Sequence, residues 1–482
     1  MQSTRRALAY TFSAQYYVIA VQFVATIVIA RLLTPAEIGT FSVGAALIGL
    51  GHLLRDFGSG QYVVQEQELT DQRIRAALTV TLMLGWSIAA AIFLAAPFIA
   101  DYYEEPGVGE VLTLLAINFL ILPFGSVVLA YCRRQMNFRP VAVANIGATT
   151  VQASLSMLLA YLGFSYMSLA WASLAGVIAT IGLVTLMRPA GLPFLPGFRE
   201  LRRVLSFGGK TSFITVLDEV AEITPEIVLG KTQGFHEVGL LSRTHGTIRI
   251  FQNLVLQGAN TVIGPVFAKL KSKGEGLHSA YLYGTMCVSS LAWPFYINLA
   301  ALASPFVLTL FGPTWADIIP YMQIWALGVT IHYLTSLVEP VFTSIGEIDR
   351  VVRFSTIFQP VRILAYATAA FFSLDALIWA VASMPLLRLA LLWPHLREVI
   401  DFRGRDYLHV IRLAGIPAVA SAGVTLATQF VLSAQGILEP MIHLGAATVL
   451  GAAAWLLVAY AMKHPLIGEL QRLLHRNSAK EA

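Results

Sequence analysis

The sequence predicts an all-α integral membrane protein of about fourteen transmembrane helices. Three observations carry that prediction. The first is composition: of 482 residues, 57% are hydrophobic and 12% charged, and the mean hydropathy is +0.70. A single soluble core stops growing at roughly 250–300 residues, so water cannot be the only solvent for so much apolar side chain. The second is run length. The apolar stretches continue for about twenty residues or more, as a membrane helix requires, whereas a transmembrane strand alternates over about ten. The third is charge placement. With the N-terminus in the cytoplasm, 25 of the 32 Lys and Arg fall on the inner side, only Arg31 and Lys231 fall outside, and five lie within spans. One missed or invented helix would move every later loop to the other side, so this asymmetry supports both the count and cytoplasmic placement of both termini.

In chain order, the first span is 8–31. It follows Arg5 and Arg6 and lacks a small-residue cleavage site, so it reads as a retained membrane helix rather than a signal peptide. Spans 38–63 and 76–100 are separated by a loop holding Arg73 and Arg75. Span 109–131 is interrupted by Pro123 and runs into Arg133, Arg134 and Arg139; 141–162 and 165–187 complete a first set of six. The longest connection, 188–205, is basic and punctuated by Pro and Gly. The second half opens with two polar spans, 206–229 and 236–261. Then come 277–303 with Pro294, 319–345 with Pro340, 351–373, 375–396, 408–434 and 439–462. The expected organisation is an N-terminal lobe at 1–190, a cytoplasmic linker at 191–205, a C-terminal lobe at 206–400, and two last helices with a cytoplasmic tail at 401–482. Cys132 and Cys287 are too few for a disulfide framework and read as small core filler.

An internal repeat organises the first twelve spans. Glu37-Ile38-Gly39-Thr40-Phe41-Ser42 is echoed 200 positions later by Glu237-Val238-Gly239-Leu240-Leu241-Ser242, and Ala96-Pro97-Phe98-Ile99 by Ser304-Pro305-Phe306-Val307. Equivalent helices are six apart, an even number, so both halves run the same way through the bilayer. The expectation is two parallel six-helix lobes with pseudo-two-fold symmetry around a central cavity, a transporter architecture, with two C-terminal helices outside the repeat.

Ionisable groups in hydrocarbon cost about 2.5–3.5 kcal/mol at a helix centre, so they face a cavity or a partner. The seventh span holds Asp218, Glu219, Glu222 and Glu226. Asp218, Glu222 and Glu226 recur every four residues on one face, and Pro225 should distort the helix beside them. The eighth span carries Arg243, His245 and Arg249, the last two sharing a face. Two readings stand: these charges pair and hold the helices together, or they line an aqueous cavity that binds an anionic substrate or a coupling cation. Arg55 neighbours Asp56 in the second span and Arg362 lies mid-span in the eleventh. Arg388, close to an inner helix end, is expected to snorkel to the headgroups, and Glu339 before Pro340 to contribute to a gate. His332 is a weaker candidate. No Gly-Lys-Ser/Thr phosphate loop and no metal-ligand spacing are present, and no loop could house a catalytic domain. The basic residues sit between apolar runs, which argues against nucleic acid as a partner. This points to a secondary transporter without catalytic residues, cofactor or bound metal.

Three motifs carry a family resemblance. Arg31-Leu32-Leu33-Thr34-Pro35-Ala36-Glu37-Ile38-Gly39-Thr40-Phe41-Ser42, followed by Asp56-Phe57-Gly58, resembles the opening of polysaccharide (oligosaccharide) flippases. Glu237 to Arg243 and Leu310-Phe311-Gly312-Pro313-Thr314-Trp315-Ala316 resemble the same family. It is a branch of the multidrug, oligosaccharidyl-lipid and polysaccharide exporter superfamily. The resemblance implies a flippase that moves an undecaprenyl-diphosphate-linked oligosaccharide from the cytoplasmic to the periplasmic leaflet of the bacterial inner membrane. Such units feed exopolysaccharide, capsule or O-antigen (lipopolysaccharide) assembly. It implies alternating access around a cationic cavity, with membrane lipids and a polysaccharide polymerase or co-polymerase as partners. Arg55, Arg249, Arg362 and Arg243 become candidate diphosphate or sugar ligands, since the planar guanidinium gives bidentate contacts to phosphate. The acids depart from that picture: Asp218, Glu219 and Glu222 either pair with arginines or bind the H⁺ or Na⁺ that drives the cycle. A drug/cation antiporter of the same superfamily is the alternative. A polymerase or ligase is disfavoured, because it would need a long periplasmic loop.

Overall fold

A computed structural model describes residues 2–468 except 57, 58, 190, 194, 274 and 275. Within that range it describes side chains except at 2–13, 56, 59, 205–215, 250, 251 and 253–265. Of the residues named above, Arg5, Arg6, Asp56, Phe57 and Gly58 therefore lie outside the described side chains, as do Lys210, Arg472, Arg476 and Lys480 of the 25 basic residues counted on the inner side.

Among the described residues the chain is helical, without a strand. In order the helices are α1 (Gln2–Leu32), α2 (Pro35–Asp56), α3 (Ser59–Gln65), α4 (Asp71–Tyr103), α5 (Pro106–Ile121), α6 (Pro123–Arg134), α7 (Arg139–Tyr161), α8 (Met167–Leu186) and α9 (Leu201–Thr232). They continue with α10 (Phe235–Ser272), α11 (Leu277–Ala301), α12 (Ala303–Leu310), α13 (Ile318–His332), α14 (Val338–Ser344), α15 (Ile348–Phe372), α16 (Leu374–Ile400), α17 (Gly404–Ala434) and α18 (Pro440–Ala461). Eight of the described helices are long and apolar enough to cross a membrane, or ten when each bent pair counts as one span. The chain is thus a multi-pass membrane protein. The sequence-based count is higher; among the described residues α13, for one, is only 15 residues long.

The two bent spans are proline breaks, and carbonyls beside each break find side-chain partners. Between α5 and α6 the axis turns by 52° at Leu122, where Pro123 has no N–H to donate, and Trp86 Nε1 donates to the Leu120 carbonyl at 3.3 Å. Between α11 and α12 the turn is 74°. Pro305 would clash with the carbonyl four residues back, that of Ala301, where α11 ends. Gln429 donates to the Ala301 carbonyl at 3.1 Å and Gln323 to that of Ala300 at 3.3 Å. Neighbouring side chains thus do what water cannot do in hydrocarbon. By contrast α9 runs unbroken through Pro225.

By contact the chain forms two units, Met1–Ser242 with Tyr366–Leu374, and Arg243–Ala365 with Asp375–Ala482. In the first, α2 packs on α5 and α9, α4 on α5 and α9, and α7 on α1 and α8. The C-terminal end of α15 belongs here because Thr232 and Gln233 donate to the carbonyls of Ala370, Phe371 and Phe372. The start of α2 is fixed by a capping box: Thr34 donates through N and Oγ1 to the Glu37 carboxylate, which also accepts from Ser165. Beyond it α2 crosses the start of α10 so closely that only glycine fits. A Cβ on Gly39 would fall on the Phe235 carbonyl, and one on Gly239 on that of Pro35. Ser42 donates to Ser242 at 2.8 Å across the same crossing, 200 residues away in sequence. The 188–205 connection is strapped onto α4, with Gly197 exchanging two hydrogen bonds with Thr79. Glu66, nearly buried, bridges Arg73 and Arg203 there.

In the second unit α11 packs on α13 and α17, and α18 on α17 and α12. A polar node ties the last two helices to α11. Asn298 donates to Ser421 at 2.9 Å and accepts from Thr425 at 2.6 Å, and Ser421 donates to the Gly451 carbonyl. Gly451 carries no side chain because a Cβ there would strike the Thr425 hydroxyl. Hydrogen-bonded small polar residues are what hold helices together where lipid removes the hydrophobic drive.

Candidate functional site

The charged candidates divide between the two units. In the first, α9 passes α2, and the acids of the seventh predicted span lie along it. Asp218 is exposed, while Glu219, Glu222 and Glu226 are half-buried, and none of the four is free of an interaction. Glu219 leans onto α2: Gly49 leaves the gap, since a Cβ there would lie 3.1 Å from the carboxylate Oε1. Two turns further along α2, Arg55 is 7% exposed and reaches His52 Nδ1 at 3.4 Å. The His52 ring lies 4.6 Å from that of Phe119 on α5. Arg55 and Glu219 are thus both positioned by α2, Arg55 enclosed and Glu219 half-buried.

In the second unit α10 carries the basic residues through three environments. Arg243 is enclosed by the loop after α12, its guanidinium 5.6 Å from the Phe311 ring centre and 5.1 Å from that of Trp315. Trp315 is completely buried, so this cation–π contact takes place out of water, where it is strongest. Two of the motifs that carry the family resemblance, the stretch ending in Arg243 and the loop 310–316, therefore meet each other. His245 stacks on Trp325 of α13, with ring centres 5.1 Å apart and planes 18° from parallel. Arg249, one turn further in, is exposed, and Arg362 on α15 is half-buried.

Arg249 and Asp218 are the exposed charges of this set, one in each unit.

One charge has a partner that the sequence did not show. Arg388, expected to snorkel, donates to Glu339 at 2.8 Å, with the Phe354 ring 6.0 Å from its guanidinium. Position near a helix end left both outcomes open, and a carboxylate on α14 lies within reach. Sequence reasoning passed over Trp325 because a lone tryptophan in an apolar run reads as lipid-facing or core. Among the described residues no group of three or more His, Cys, Asp or Glu could hold a metal ion.

Comparison with known proteins places this arrangement. The profile of a family described as "Polysaccharide biosynthesis protein" matches residues 28–320. The succinoglycan biosynthesis transport protein ExoT of Rhizobium meliloti is 25% identical over 95% of this chain and 92% of its own length. The lipopolysaccharide biosynthesis protein WzxC of Escherichia coli is 21% identical over 64% of each. Among solved structures, the lipid II flippase MurJ in an inward closed conformation aligns with a TM-score of 0.76 at 10% identity, covering 95% of this chain and all of that one. An inward-facing multidrug resistance MATE transporter of the MOP superfamily aligns at 0.62 and 15% identity, over 78% of this chain and 93% of that one.

Proposed function

Because this chain belongs to the polysaccharide biosynthesis protein family, we propose that it is a flippase. It moves an undecaprenyl-diphosphate-linked oligosaccharide from the inner to the outer leaflet of the bacterial inner membrane, for exopolysaccharide, capsule or O-antigen assembly. The observation that carries this reading is the exposed Arg249 of α10, which the sequence places in mid-span, on a fold shared with a lipid II flippase. An accessible guanidinium at that depth is a diphosphate ligand held in water, and it is the kind of donor that grips two phosphate oxygens at once. Arg362, Arg243 and Arg55 are the further ligand candidates. Arg243 and Arg55, now enclosed, would have to be uncovered by the transport cycle.

The proposal includes fourteen crossings with both termini cytoplasmic, and two six-helix lobes (1–190 and 206–400) alternating about a central cavity, joined by the 191–205 linker and followed by two extra helices at 401–482. The reciprocal glycine crossing of α2 and α10 supports the repeat. Asp218, Glu219 and Glu222 are the candidates for a coupling H⁺ or Na⁺. A polymerase or co-polymerase would take the delivered unit. Export driven by a cation gradient would be lost in the Asp218→Asn/Glu222→Gln double variant, whereas acids that only pair with arginines would leave gradient dependence intact.

The direct test is deletion of the gene. A lipid-linked sugar should accumulate on the cytoplasmic face, and the wild-type gene should clear it, but Arg249→Ala or Arg362→Ala should not, although both variants reach the membrane. Clearance by both would remove the cavity assignment. The exposed Asp218 favours a second reading, a drug/cation antiporter. That reading predicts no accumulated glycolipid and increased drug sensitivity instead.

A further inference from the structure

Resting on the flippase reading, we propose that the stacked His245–Trp325 pair is a carbohydrate platform, a second subsite beside Arg249 that takes the ring face of a pyranose in the cargo. Three observations meet here. His245 and Arg249 are four residues apart on α10 and so share a face, and Arg249 is exposed on a helix that the flippase reading carries through the membrane, where an exposed charge faces water. His245 shares that face. Trp325 stacks on it, half-buried, with one indole face covered by the imidazole at 5.1 Å and 18°. It has a second aromatic residue, Tyr321, one turn away on the same side of α13.

This is an unusual way to fill a membrane core. An imidazole brings two ring nitrogens that need partners, and an aliphatic side chain would pack Trp325 without them. It is a sound way to build a sugar site. The polarised C–H bonds on one face of a pyranose point into the electron-rich face of an aromatic ring, while its hydroxyls stay at the edge for polar neighbours. Stacking of this kind is tolerant of sugar identity, and a guanidinium one turn inward would hold the diphosphate to which the first sugar is attached. The pair is therefore a site for the first rings of the chain, next to the phosphate, rather than for the lipid.

The test uses the full chain in nanodiscs and two probes, undecaprenyl diphosphate and undecaprenyl diphosphoglucose, and its readout is the ratio of their dissociation constants. The wild type should bind the glucosylated lipid about fivefold to tenfold more tightly, the scale expected for one good aromatic contact. Trp325→Ala should bring that ratio to about one and Trp325→Phe should retain most of it. Arg249→Ala should weaken both lipids and keep the ratio. A glucosylated lipid that Trp325→Ala still prefers as strongly as the wild type does overturns the platform, as does a wild type that binds the two lipids equally. A wild type that binds neither lipid overturns the flippase reading itself, and the platform with it.

Discussion

Residues 34–42 and 234–242 are two copies of one motif that fold against each other, and they differ in an instructive way. What they share is steric. Each contributes the glycine that lets the other helix's backbone approach, Gly39 to Phe235 and Gly239 to Pro35, and each contributes a serine to the bond between Ser42 and Ser242. What they do not share is polar chemistry. The first copy begins with Thr34, whose hydroxyl and N–H both cap through Glu37, and runs on into the fully buried Val43. The second begins with Gly234 at a φ of +99° and runs on into Arg243, beneath Phe311 and Trp315. The crossing demands the same shape from both copies, whereas the helices that follow are free to diverge, and α10 became the cationic one.

Breaking the shared part should have the largest effect. Gly39→Ala and Gly239→Ala each place a methyl group on a backbone carbonyl, which cannot rotate aside as a side chain would. Overpacking costs about 1–3 kcal/mol and occasionally more, and these substitutions belong at the upper end. The two should lower the thermal unfolding temperature in detergent by similar amounts. A large drop for one and none for the other would show that the contact is not reciprocal.

Locking the crossing should come next. The Ser42 and Ser242 hydroxyls are 2.8 Å apart, close enough for cysteines there to form a disulfide with little backbone adjustment. The Ser42→Cys/Ser242→Cys variant should cross-link under mild oxidation, stop polymer export, and recover on reduction. Export that continues at full rate while cross-linked would show that this crossing stays closed throughout the cycle.

The repeat was legible in the sequence as two short echoes, but their meaning was not. Glycine and serine at matching positions are ordinary in membrane helices, and only three dimensions show that each copy faces the other. The helical class and the membrane location were legible because they follow from hydropathy averaged over twenty residues. The span count was less so, since a proline at 123 or 305 can kink a helix or end it, and a neighbour such as Trp86 or Gln429 decides which. Among the site candidates, charge type was readable and partners were not. Arg388 meets Glu339 49 residues away, and Arg243 meets an aromatic loop about 70 residues away. Each was an isolated charge in the sequence.

Weakening the part peculiar to the second copy should cost less than breaking the crossing. Arg243→Gln keeps much of the volume but removes the charge from the Phe311 and Trp315 faces. A desolvated cation–π contact contributes about 2 kcal/mol, so unfolding should shift by about that much at most. Proteolysis of the 310–316 loop in membranes should accelerate with it. A loop that stays equally resistant would show that Trp315 is held by its own burial alone.

The smallest effect belongs to the part peculiar to the first copy. The Glu37 carboxylate accepts from Ser165 and from the Thr34 N–H and hydroxyl. Capping interactions of this kind contribute about 1 kcal/mol. Glu37→Gln should therefore lower stability in detergent by about that amount. Glu237→Gln should do less, because Gly234 supplies no hydroxyl where Thr34 supplies one. Equal losses for the two would mean that the carboxylates serve the shared crossing, and that the asymmetry between the copies begins only at Arg243.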